Sequence, residues 1–362
     1  MADILAEYWL SFLVVFAVAF GLAFLLTPLT IYLGKRWEVV DKPGGRRKHD
    51  EPTSRLGGLA MVVAFIAAII IAQFLPVERT DDQEIIRLTG LILGAIFIYG
   101  VGLVDDLFEL PPLPQYIAQV IAGAIAITFL IFIESFNNPF TGATETGWPF
   151  WVTVTISLFW FGFMMNTVNW LDGLDGLAAG VVGIAALMIF IHATFQLEQV
   201  SVGLLALALV GATFGFLPFN FSPAKVFMGN GATFLGYSLG VLSIIGGAKM
   251  ATVLLVMGLP LIDAAWQIFR RLMLGRNPIY GDRGHLHFRL VDMGYSPRLI
   301  VIGYYVFCSL FGAIALITAS RLFKLIALII MGLLLAGTFI FISYHQSHTA
   351  SRNSLSDESS SS

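Results

Sequence analysis

The segment Asn166-Thr-Val-Asn169-Trp-Leu-Asp172-Gly-Leu-Asp175-Gly176 sets two asparagines and two carboxylates between two long apolar runs. Charged groups are costly in lipid, so this junction faces water, an ion or a substrate. The spacings 166/169/172 and 172/175 keep the polar groups near one face if a helix continues through them. Gly173 and Gly176 remove side-chain bulk and let a ligand approach the backbone. A second acidic cluster, Leu103-Val-Asp105-Asp106-Leu-Phe-Glu109, closes another apolar run. Adjacent carboxylates repel, so holding both ionised favours a divalent cation or a cationic partner. Mg²⁺ commonly binds one or two carboxylates together with substrate phosphates, and a carboxylate not committed to the ion can act as a general base.

Three other segments carry complementary chemistry. Residues 41–58, Asp41-Lys-Pro-Gly-Gly-Arg46-Arg47-Lys48-His49-Asp50-Glu51-Pro52-Thr53-Ser-Arg55-Leu-Gly57-Gly58, combine cations, a hydroxyl and glycines ahead of an apolar run, surroundings that suit phosphate. Asn220-Phe-Ser-Pro-Ala-Lys225-Val-Phe227-Met228-Gly229-Asn230-Gly231 puts an aromatic beside a Gly-Asn-Gly turn, able to stack on a planar base and offer amide hydrogen bonds. Gly281-Asp-Arg283-Gly-His285-Leu-His287-Phe288-Arg289 sets two histidines among basic residues that can hold a diphosphate or sugar. The His-x-His pair also suits zinc, but no cysteines accompany it and the carboxylates suit harder ions.

The elements that must position these groups are membrane helices. Of 362 residues, 57% are hydrophobic and 12% charged, where a soluble domain averages about a quarter charged. Mean hydropathy is +0.85. The lone Cys308 lies in an apolar run and excludes an intramolecular disulfide or a cysteine metal cluster. The expected fold is all-α and polytopic, with about eleven transmembrane helices of roughly 20 residues each, at 9–33, 57–75, 87–104, 115–134, 150–168, 175–195, 201–219, 232–247, 249–269, 299–319 and 322–343. They form one integral-membrane domain over 1–345, followed by a polar, serine-rich tail over 346–362 expected to be disordered. The connections at 34–56, 105–114, 169–174, 220–231 and 270–298 then share one side. Lysine and arginine crowd that side, which the positive-inside rule makes cytoplasmic. Every chemical cluster above falls on it, which points to an interfacial active site. A transporter would instead carry ionisable groups near mid-span.

Together these segments resemble the polyprenyl-phosphate N-acetylhexosamine-1-phosphate transferases, over about residues 28–300 and in the expected order. The Asn166–Leu177 segment is the specific motif. Asp105-Asp106, Val226–Gly229 and the histidine loop reinforce it. The resemblance implies transfer of a sugar-1-phosphate, GlcNAc-1-phosphate foremost, from a UDP-sugar to undecaprenyl or another polyprenyl phosphate, with release of UMP. It implies Mg²⁺, with Mn²⁺ as a substitute, and a site on the cytoplasmic face of the cell membrane. Its partners would be the UDP-sugar, the lipid and the membrane; a homodimer is admitted, and nucleic acid has no role. Carried over by motif, Asp105 would be the base that deprotonates the lipid phosphate, with Asp106 beside it. Asp172 and His287 complete the catalytic set, with Asp172 and Asn230 toward the metal. Lys48 and Thr53 would lie near phosphate, Asn169 in the catalytic pocket, and Gly173, Leu174, Asp175, Asn220 and Phe227 around uridine. His285 and Arg289 would contact the diphosphate or sugar. Three positions depart from the family pattern: Asn230 stands where a magnesium-binding Asp is common, Phe288 interrupts a His-His pair, and Glu109 replaces the last Asp of Asp-Asp-x-x-Asp. The His-x-His loop looks more like the envelope-glycan branch than the peptidoglycan branch. An intramembrane prenyltransferase also uses aspartates and Mg²⁺ but leaves the Lys48, Phe227 and His285 loops unexplained. Direct attack by the lipid phosphate and a two-step route through an aspartyl intermediate both satisfy these residues.

Overall fold

The computed structural model describes residues 2–41, 52–138, 140–141, 143–245, 250–275, 284–318 and 320–360. A helix lies on every apolar run, because in lipid the backbone must satisfy its own N–H and C=O groups. In order these are α1 (Ala2–Arg36), α2 (Gly57–Ala72), α3 (Glu84–Phe108), α4 (Pro112–Thr128), α5 (Phe150–Leu171), α6 (Leu177–Ile191), α7 (Val200–Asn220), α8 (Gly231–Ile244), α9 (Met250–Val256) and α10 (Gly258–Met273). The short α11 (Leu286–Asp292), α12 (Pro297–Ile317) and α13 (Arg321–Ser360) complete the chain. Seven helices are long and apolar enough to cross a membrane, and eight if α9 and α10 form one bent span. Helices α2, α4 and α8 are apolar but shorter, so length and composition alone do not reach the expected count of about eleven spans. The 249–269 run is not one straight helix, since α9 and α10 meet at 77°. Helix α13 is described as far as Ser360, across the polar stretch from 346.

The core is built from helices that are apolar all round and therefore surrounded by protein. In α7 the span-forming window is 89% buried, against 22% in α13. Small residues let these backbones close up: a Cβ on Gly215 of α7 would lie 2.4 Å from the Phe20 carbonyl of α1, and one on Gly236 of α8 would lie 2.6 Å from Met165 Cα of α5. Trp9, Leu13 and Leu25 of α1 and Leu333 and Leu334 of α13 are exposed, an apolar outer surface of the kind that meets lipid.

Helical continuation through Asp172 and Asp175, the condition on which they would share a face, does not occur. Helix α5 stops at Leu171, Asp172 occupies its C-cap, and Gly176 turns the chain with φ +80° before α6 begins. The left-handed turn requires glycine there, and it places 172–176 as a loop at one end of the bundle. At the same end, strands β1 (Val40–Asp41) and β2 (Thr53–Ser54) pair antiparallel, and Ser54 bridges in parallel to Val226.

Candidate active site

The end of α3 and the loop before α8 meet at the acidic pair. Asn230 donates its side-chain amide to Asp105 Oδ2 (2.8 Å) and Asp106 Oδ1 (3.1 Å), and its backbone N–H to Asp106 Oδ2 (2.9 Å). Arg55 reaches Asp106 Oδ1 at 3.3 Å. Asp105 Oδ1 also accepts from Leu110 N (2.7 Å) and from the Gln115 amide of α4 (3.0 Å). The repulsion between neighbouring carboxylates is thus offset by one guanidinium and a shared amide. Asp106 is buried and Asp105 half-buried. Gly229, at φ +55°, makes the fit possible, because a Cβ there would lie 2.4 Å from both the Arg55 carbonyl and Asp106 Oδ2.

The Leu56-Gly57-Gly58 stretch stitches the first loop to the seventh connection. Gly57 N donates to the Phe227 carbonyl (3.0 Å), Gly58 N to the Met228 carbonyl (3.1 Å), and Phe227 N to the Ser54 carbonyl (2.9 Å). A Cβ on Gly58 would lie 2.7 Å from Gly231 Cα. These glycines therefore serve chain-to-chain packing. Thr53 is buried in β2, Phe227 stays half-buried, and Lys48 lies outside the described residues.

The Asp172 loop forms the adjoining wall. Buried Asn220 clamps it: its Oδ1 accepts from Gly176 N (3.1 Å) while its Nδ2 donates to the Val226 carbonyl (2.9 Å). Asp175 Oδ2 accepts from Ala224 N (3.0 Å), and the Tyr305 hydroxyl donates to the Gly176 carbonyl. Both ends of the Asn220 amide are occupied by backbone, so this residue shapes the loop. Burial pushes the Asp172 carboxyl up to about 7; neighbouring Asp175 and Asp106 add to the rise, and Arg55 opposes it. Asn166 turns away to α4, donating to Gln119 Oε1 (2.6 Å). Asn169 and Leu174 are half-buried.

The histidine loop closes the third side. A Cβ on Gly173 would lie 2.5 Å from His287 Nε2 and 2.6 Å from Phe288 Cζ, so glycine admits that loop against Asp172. His285 and His287 are buried and stack at 5.8 Å, and His285 packs on Trp170 at 5.7 Å. His285 Nδ1 lies 2.9 Å from Asp263 Oδ2 of α10. Arg289 is half-buried on α11. His192, at the far end of α6, pairs with Thr252 (2.7 Å), apart from these groups.

Arg55 stands in the sequence only as one of the phosphate-suited cations of 41–58, and no motif gives Gln115, Trp170 or Asp263 a role. An aspartate inside the 249–269 apolar run was a visible signal, since a charge in such a run needs a partner. Among the described residues no three His, Cys, Asp or Glu side chains gather closely enough to hold a metal by themselves.

The family model for glycosyl transferase family 4 matches residues 88–247, which include the acidic pair, the Asp172 loop and Asn230. The chain is 30% identical over 327 residues to a probable undecaprenyl-phosphate N-acetylglucosaminyl 1-phosphate transferase of Bacillus subtilis (strain 168), covering 87% of each chain. It is 31% identical to a decaprenyl-phosphate N-acetylglucosaminephosphotransferase of Mycolicibacterium smegmatis, over 80% of this chain and 77% of that one. It is 32% identical to a phospho-N-acetylmuramoyl-pentapeptide-transferase of Desulforudis audaxviator, over 80% of this chain and 93% of that one. With the motifs in the expected order and relatives of this identity over most of its length, the chain belongs to glycosyl transferase family 4.

Proposed function

We propose that the chain transfers GlcNAc-1-phosphate from UDP-GlcNAc to a polyprenyl phosphate, releasing UMP and starting a lipid-linked envelope glycan. The observation that carries this reading is the similarity to polyprenyl-phosphate N-acetylglucosamine-phosphate transferases over four-fifths or more of the chain. The clustering of Asp105, Asp106, Asp172 and Arg55 at one end of an apolar bundle supports it, because a lipid-tethered phosphate can reach such a site from the bilayer. We assign that end to the cytoplasm on the lysine and arginine bias of its loops, and we take the seven long helices, the bent α9–α10 pair and the shorter α2, α4 and α8 as eleven crossings.

The acceptor and the donor are both anionic, so positioning and charge neutralisation are the main catalytic demands. Asp105, the more open of the pair, takes the proton from the lipid phosphate. Its Oδ1 is held by Leu110 and Gln115, which fixes it for that transfer. Asp106 is buried, paired with Arg55 and joined to Asp105 through the shared Asn230 amide, so it orients its neighbour. That grip favours direct attack by the lipid phosphate over an aspartyl intermediate. The donor set fits Mg²⁺, a hard ion that takes one or two carboxylates and completes its shell with phosphate and water. Asp172 and the oxygen of Asn230 would hold it with the substrate diphosphate. Such an ion supplies charge neutralisation on the diphosphate and its UMP leaving group. The loop 172–176 with Phe227 receives uridine, and His285, His287 and Arg289 receive the diphosphate and sugar.

The test is to incubate purified protein with Mg²⁺, polyprenyl phosphate and separate UDP-GlcNAc, UDP-GalNAc and UDP-MurNAc-pentapeptide. UMP and a sugar-diphospho-lipid are expected with UDP-GlcNAc. Folded protein that releases UMP from none of the three would end the reading. Mass measurement in detergent decides whether two copies pair.

A further inference from the structure

We infer that Asp263 is a positioning residue that fixes the tautomer and ring angle of His285, an inference that rests on the transferase reading of the site. Asp263 is 5% exposed and His285 4%, so neither is solvated. The carboxylate accepts twice: Oδ2 is 2.9 Å from His285 Nδ1, and Oδ1 accepts from Leu286 N at 3.1 Å. A carboxylate has no proton to give, so Nδ1 carries the hydrogen, and in the neutral ring that leaves the Nε2 lone pair for the substrate.

The ring is also held by its faces. Trp170 lies at 5.7 Å, His287 stacks at 5.8 Å, and the Arg271 guanidinium sits 6.0 Å from the indole centroid of Trp170. Gln267, one turn beyond Asp263, donates its amide to the Gly284 carbonyl. Positions i and i+4 share one helix face, so α10 grips the loop at two points, Gly284 and the His285–Leu286 pair. The 77° break between α9 and α10 gives that face its direction. A buried aspartate is costly unless its oxygens are satisfied. Here Oδ2 holds the imidazole and Oδ1 the backbone of the next residue, as a carboxylate orients a catalytic or metal-binding histidine elsewhere.

Asp263→Asn separates orientation from bulk. Its amide oxygen can still accept from Leu286 N, but its NH₂ then faces Nδ1 and demands a lone pair there. Nitrogen-15 NMR of histidine-labelled protein, with His285 assigned by loss of its signal in His285→Gln, should show Nδ1–H in the parent and Nε2–H in Asp263→Asn. The variant should lose about 10–100-fold in kcat, the range for such supporting partners, with KM for UDP-GlcNAc little changed. Asp263→Glu should recover part of that loss. In a His285→Gln background Asp263→Asn should cost no more. An Nε2–H tautomer in the parent overturns the inference whether or not any variant folds, and so does a folded Asp263→Asn with parental kcat. A parent chain without transferase activity would remove the transferase reading, and the tautomer measurement would still decide what Asp263 does.

Discussion

Asn230→Asp puts the acidic cluster under the most direct stress. The amide nitrogen it removes bonds Asp105 Oδ2 at 2.8 Å and Asp106 Oδ1 at 3.1 Å. Hydrogen bonds to charged groups are worth about 1.5–3 kcal/mol each, so losing both costs about 3–6 kcal/mol. The incoming oxygen adds repulsion: two unit charges about 3 Å apart at an effective dielectric near 20 repel by roughly 5 kcal/mol. Proton uptake relieves part of this, and a divalent cation relieves more. The backbone bond from position 230 to Asp106 (2.9 Å) is common to both proteins and keeps the segment in place. In chelator, the variant should therefore unfold on the order of 10 °C lower, taking about 2–4 °C per kcal/mol. Mg²⁺ should then raise its Tm more than the parent's, since a ligand at a hundredfold excess over Kd adds about 2.7 kcal/mol. Thermal unfolding in detergent, with EDTA or graded Mg²⁺, reads both effects. Equal Tm in EDTA together with equal Mg²⁺ responses would refute the bridging role of the amide and the cation's place beside it.

Asn220→Ala should destabilise by about 2–4 kcal/mol, because it strips partners from the buried Gly176 N–H and Val226 carbonyl; a Tm within a degree of the parent counts against the clamp. Asp172, pushed up to about 7, stays protonated in the folded chain where the unfolded chain has ionised. Without metal, its contribution to stability is full below about pH 4 and is lost as pH rises toward 7. Asp172→Asn should flatten that slope, and in the parent apparent Mg²⁺ affinity should fall as pH drops below 7. An unchanged Mg²⁺ titration between pH 5.5 and 7.5 would contradict both. Lys225, exposed beside the site, gives the sidedness test in a Cys308→Ala background: Lys225→Cys should react with an impermeant maleimide only from the cytoplasmic side of vesicles.

Hydropathy located the apolar helices because a lipid-spanning run has to be apolar along its whole length, and it missed the short polar α11 inside the 270–298 connection. The α9–α10 break escaped because Met257, Gly258 and Pro260 are themselves apolar or neutral in such a sum, although a glycine and a proline so close together signal a turn. Asp105, Asp106, Asp172 and Asn230 were legible because polar groups at the ends of apolar runs need partners. What their spacing could not supply was the partner's identity. Arg55 lies 51 residues from Asp106 in the chain, and Asp263 lies 22 from His285. The glycines at 57 and 58 were read toward phosphate, yet their bonds run to the backbone of residues 227 and 228. A glycine needed for close approach looks the same in sequence whichever neighbour approaches.

The stitching of residues 54–58 to 226–231 has a consequence for how the protein is made. A ribosome emits the chain in order, so residues 54–58 wait for residues 226–231 while some 170 residues and the six helices α2 to α7 are synthesised. Arg55 and Asp106 can meet early, but Asn230 arrives last, and contacts of such long sequence separation are slow to form. The acidic pair is then incompletely neutralised until α8 is in place. A nascent chain stopped before residue 226 should expose the first loop to protease, and one extended past 245 should protect it. Assembly of the site is therefore an event dated by chain length, falling late in insertion, after most of the surrounding bundle already exists.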